Sequence, residues 1–185
     1  MLKNEFEIFK RLNDALEAED IYLTIITVGG FVLSHYGMRT TQDIDGFYNA
    51  TDRINQIIHD IGEEFEINTP DEVWLNNSVG NMNASPSEEI CDKLYEFSNL
   101  KILMPPLEYI AGMKLQSARG QDIIDVSEII KRINIETPEQ LGNILKKYGL
   151  EGIDGSLLLE AFGQAYGMEW LEKYYIEHER EILNY

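Results

Sequence analysis

The stretch Val28-Gly29-Gly30-Phe31-Val32-Leu33-Ser34-His35-Tyr36-Gly37-Met38-Arg39-Thr40-Thr41-Gln42-Asp43-Ile44-Asp45-Gly46-Phe47 decides how the fold of this chain is read. The run before it, residues 22–28, is rich in β-branched side chains (Thr24, Ile25, Ile26, Thr27, Val28) and has the length and composition of a buried strand. Gly29 and Gly30 close that strand. Lacking Cβ atoms, they can take unusual backbone angles and let a ligand approach the main chain. Residues 31–36 are expected to form a short helix whose first N–H groups point back at the glycines and attract an anion such as phosphate. Gly37 is placed to end it.

Twelve residues separate Gly30 from Asp43, where two aspartates flank Ile44. On a strand, the carboxylates of Asp43 and Asp45 project from one face while Ile44 enters the core. Neighbouring carboxylates repel unless a cation sits between them. Magnesium accepts a few carboxylate oxygens and keeps its other positions for water and phosphate. Either half alone is ordinary in turns and exposed strands; together, and in this order, they point to a phosphate cradle and a metal clamp.

Around this motif, helical spacing of Phe6, Phe9, Leu12 and Leu16 predicts a helix over 4–18, and Ile54, Ile57, Ile58 and Ile61 predict another over 51–61. Residues 62–86 weaken into turn signals, with Trp74 expected as a packed aromatic. Residues 100–104 read as a strand stopped by Pro105 and Pro106, which also suit the start of a helix over 107–118. There Leu107, Ile110, Ala111 and Leu115 form the packing face, with Lys114 pointing away from it. A helix over 122–133 follows, placing Asp122 and Asp125 one turn apart. Thr137-Pro138-Glu139-Gln140 is a strong helix start, and 156–166 and 169–183 are read as further helices. Phe162, Tyr166, Trp170, Tyr174 and Tyr175 are expected as core or dimer interface.

The first motif resembles that of the nucleotidyltransferase superfamily, with its DNA polymerase beta-like fold. Arg39, Thr40, Asp43, Ile44 and Asp45 look most like the minimal bacterial members related to the AbiEii toxin. A second block, residues 103–125, is similar to a segment that follows the core sheet in those proteins. It includes Pro105, Pro106, Glu108, Met113-Lys114-Leu115, Ala118-Arg119 and Asp122-Ile123-Ile124-Asp125.

The resemblance implies an α/β (α+β) fold, a small mixed sheet flanked by helices. The core would span 1–133 and a C-terminal helical region 134–185. It implies Mg2+ (or Mn2+) held by Asp43 and Asp45, and a nucleoside triphosphate contacted by Gly29, Gly30, Arg39, Thr40, Lys114 and Arg119. Asp43, Asp45 and Lys114 would be catalytic, and Asp122 and Asp125 would hold Lys114 or Arg119 in place. The acceptor is open between RNA (tRNA included), protein and small molecules, and a toxin-antitoxin pairing or a homodimer is expected. Active relatives carry a third acid on the next strand. Residues 100–104 supply only Lys101, so Glu66 or Glu96 is the candidate, and a catalytically inactive nucleotide-binding or antitoxin-like protein is the alternative.

Composition bounds these readings. The 185 residues suffice for about one domain with a real core. A formal charge of −18 disfavours a dedicated nucleic-acid-binding module. The single cysteine, Cys91, excludes an internal disulfide and suits a reducing compartment. The first residues lack a signal-like pattern and no apolar run spans a bilayer, so a cytoplasmic protein with no membrane partner is expected. His35, His59 and His178 form no zinc or triad spacing.

Overall fold

The computed structural model describes residues 4–70, 72–81 and 85–182. It divides into two compact units, Met1–Pro106 and Leu107–Tyr185, so the contacts part earlier than the 133/134 boundary drawn from the sequence.

The first unit is built on a mixed sheet in the order β3-β2-β1-β5-β4, with β1 Leu23–Val28, β2 Ile44–Phe47, β3 Leu75–Asn76, β4 Asp92–Glu96 and β5 Leu100–Met104. The central strand β1 runs antiparallel to β2 and parallel to β5. One face packs on α1 Glu5–Ala18 and α3 Asp52–Glu64. Their apolar stripes (Phe9, Leu12, Leu16; Ile54, Ile58, Ile61) bury Leu23, Ile25, Ile44, Leu75, Leu100 and Ile102. Thr51 caps α3 by accepting from the Ile54 N–H. Trp74 is buried as expected, and its indole N–H donates to the Ile58 carbonyl at 2.8 Å.

Three features differ from the sequence expectation. The helix α2, Gly29–His35, begins at the glycines themselves. β4 was not anticipated, because it is an edge strand whose residues are exposed or half-buried and carry no clean alternation. Within the irregular 62–86 stretch, Leu75–Asn76 is recruited as a short strand; residues 71 and 82–84 lie outside the described residues.

In the second unit, α4 Leu107–Ser117, α5 Gly120–Arg132, α6 Pro138–Lys147, α7 Gly155–Tyr166 and α8 Met168–Ile182 pack through Ile110, Leu115, Val126, Ile130, Leu145 and Phe162. The expected end of the last helix at Leu183 lies outside the described residues. Thr137 caps α6 as anticipated, accepting from the Gln140 N–H. Phe162, Trp170, Tyr174 and His178 stack successively, while Tyr166 and Tyr175 stay partly exposed. Among the described residues, no helix is long and apolar enough to cross a membrane.

Candidate functional site

The sheet register assembles the site. Val28 pairs with Asp45, and Asp45 with Asn76, so the three stand in a row across β1, β2 and β3. Ile44 pairs with Leu75 and faces the opposite, buried side. Asp43 precedes β2 and Asp45 lies in it, so the strand's pleat aims Asp45 away from the core as the sequence implied.

The glycines bring the main chain against these acids. Gly29 has φ +63°, and a Cβ there would lie 2.9 Å from the Asp45 Oδ2. A Cβ on Gly30 would lie 3.0 Å from the Thr41 hydroxyl and 3.9 Å from the Arg39 guanidinium carbon. Thus Gly29, Gly30, Arg39, Thr41 and Asp45 meet at one end of β1. Thr40 lies exposed beside them in the chain.

Each aspartate has neutral polar neighbours. The Thr41 hydroxyl donates to the Asp43 Oδ1 at 2.9 Å. Asn76 stands opposite the Asp45 carboxylate on the neighbouring strand, with Ser78 beside it. Burial pushes the Asp45 carboxyl up, the charge of Asp43 adds to this, and Asn76 opposes it. Glu72 raises it slightly further and Ser78 lowers it. Sequence reasoning missed Thr41, Asn76 and Ser78. Thr41 stood beside the quoted Thr40, whereas Asn76 is visible only through strand pairing.

A third acid does not join the pair among the described residues, which contain no cluster of three or more His, Cys, Asp or Glu side chains fit to hold a metal. Glu66 sits exposed at a left-handed turn after α3, φ +56°. Glu96 lies on β4, three strands from β2, and pairs with Lys93. Beside Asp45 on the same sheet face, Thr24, Ile26 and Phe47 help line a cleft of ≈ 400 Å³ with Tyr48, Asn77 and Glu88 on its wall.

In the helical unit, Lys114 is buried (8% exposed) instead of projecting from α4. Its ammonium bonds Asp122 Oδ1 at 2.8 Å and Asp125 Oδ2 at 2.6 Å. Burial alone would raise the Asp122 carboxyl; the bonds from Lys114 and Ser117, the lysine charge and an Arg119 backbone N–H outweigh it and hold it low. Both aspartates thus bond Lys114, and the Arg119 side chain lies exposed at the start of α5. Burial first, then Glu88 and Asp92, pushes the Cys91 thiol up to about 11, away from the thiolate form.

The donor set fits a hard divalent cation. Two carboxylates adjoin on one strand end, one of them desolvated and charged at a cost that a cation would offset. No curated protein and no solved structure matches the chain. A family model described as "nucleotidyltransferase of unknown function (DUF6036)" matches residues 3–149, and the chain belongs to that family.

Proposed function

We propose that this protein transfers a nucleotidyl group from a nucleoside triphosphate to a hydroxyl acceptor. The observation that carries this reading is the meeting of the Gly29-Gly30 backbone with Asp45, at the contact where a Cβ would lie 2.9 Å from the carboxylate. That contact brings a backbone suited to phosphate beside an acid suited to metal.

Asp43 and Asp45 would hold Mg2+ or Mn2+, which supplies charge neutralisation for the triphosphate. Gly29 and Gly30 admit the phosphates, and Arg39 and Thr40 lie beside them to offer donors. The acceptor oxygen forms a bond to the α-phosphorus, the bond from that phosphorus to the bridging oxygen breaks, and pyrophosphate leaves with the electron pair. The hydroxyl proton passes to water. Lys114, fixed by Asp122 and Asp125, serves chiefly to set α4 against α5. The AbiEii likeness supports a place in a toxin-antitoxin pair, with RNA, protein or a small molecule as acceptor.

A second reading, nucleotide binding without transfer, is favoured by the absence of a third acid among the described residues. Calorimetric titration with each nucleoside triphosphate and Mg2+, paired with transfer of α-labelled nucleotide to total RNA and protein, separates the two. Binding lost in an Asp43→Asn, Asp45→Asn double variant, together with labelled acceptor, supports transfer. Binding without any labelled product supports the second reading, and no binding rejects both.

A further inference from the structure

Asn76 occupies a position that the two-aspartate motif does not explain. Parallel pairing sets it directly opposite Asp45, on the same face of the sheet. Its Oδ1 accepts from the Ser78 N–H at 3.1 Å and from the Ser78 hydroxyl at 2.5 Å. With the oxygen so engaged, the amide NH2 is the end left for Asp45, its register partner. The neighbouring strand thus presents Asp45 with a hydrogen-bond donor where a ligand for a second cation would need a lone pair. Among the described residues no further carboxylate completes a cluster.

Two carboxylates balance one divalent cation. Without nucleotide bound, a second cation a few ångströms away would add two positive charges with no added protein ligand, and their repulsion would be uncompensated. Resting on the metal site proposed above, we infer that Asn76, aimed by Ser78, is a positioning residue that fixes the Asp45 carboxylate and limits the nucleotide-free centre to a single divalent cation. Asn76 stands beside Asp45 across the strands and acts through it.

The test is Mn2+ binding to the full chain, followed by electron paramagnetic resonance in about 0.15 M KCl to screen the acidic surface. Wild type is expected to bind one uncoupled Mn2+ per chain that an Asp43→Asn, Asp45→Asn variant loses. Asn76→Ala weakens that ion about tenfold, in the range seen when groups orienting a ligand are removed. Ser78→Ala weakens it a few-fold, by removing one of the two bonds that hold the amide. Asn76→Asp supplies the missing lone pairs and brings in a second Mn2+, recognised by the broadened spectrum of a spin-coupled pair. Melting in chelator checks that each variant folds, and Ser78→Ala serves if Asn76→Ala does not. A coupled pair in wild type, an unchanged affinity in Asn76→Ala, or a single uncoupled ion in Asn76→Asp overturns the inference while leaving the metal site standing. No Mn2+ bound by wild type overturns the metal site itself.

Discussion

The molecule contains two pairs of closely spaced aspartates, and they are treated in opposite ways. Asp122 and Asp125 grip a buried ammonium, Lys114, at 2.8 and 2.6 Å. Asp43 accepts from the Thr41 hydroxyl, and Asp45 lies opposite Asn76 on the neighbouring strand. The first pair has its cation built into the chain and is held low at Asp122; the second is pushed up at Asp45. The first pair carries its own lysine and stabilises the fold, whereas the second, on the function proposed above, takes its cation from solution.

The comparison can be broken in several ways. The largest effect is expected at the sheet: Asp45→Asn should lower nucleotidyl transfer by about 10³-fold, several kcal/mol of lost charge stabilisation. Its melting temperature in chelator should not fall. Steady-state transfer rates and thermal melts decide this, and a variant that melts early would show the pair to be structural. Lys114→Met should destabilise the helical unit by about 3–5 kcal/mol, because it strands two buried carboxylates. Urea unfolding measures it, and adding Asp122→Asn with Asp125→Asn should restore much of the loss. Gly29→Ala should cost about 1–2 kcal/mol, since φ is +63° and the methyl would meet Asp45 Oδ2; adding Asp45→Ala should recover the steric part only.

The smallest effects lie in pH dependence, and their signs oppose. With its folded value raised, Asp45 binds protons more readily in the native than in the unfolded chain, so metal-free stability rises as pH falls toward that value. With its folded value lowered, Asp122 contributes stability that is complete above the unfolded value of about 4 and is lost as pH falls through the folded one. Hydrogen exchange resolved by residue should show the first unit gaining protection as pH falls from 7 toward about 4 and the helical unit losing it only below about 4, and Asp45→Asn should abolish the first trend.

The motif in residues 28–47 was legible because its signals are local: β-branching, glycine and alternation each act within a few positions. Lys114 was misjudged for a physical reason. Residues 109–115 are buried without interruption, so α4 lacks the polar stripe that periodicity needs to orient a side chain. β4 was invisible because an edge strand buries little. Asn76 and Ser78 were missed because their role depends on which strand lies beside β2, and that pairing joins residues far apart in sequence.

The same sheet order imposes a delay on synthesis. Leu23 of the central strand pairs with Leu100, 77 residues later. At a translation rate of about 5–20 residues per second, one edge of β1 waits about 4–15 s for its partner. During that interval a nascent chain exposes Ile25 and Ile26 on an unpaired strand, an invitation to intermolecular pairing. Slowing elongation between residues 48 and 100 should therefore lower the soluble yield of this protein more than slowing it after residue 107.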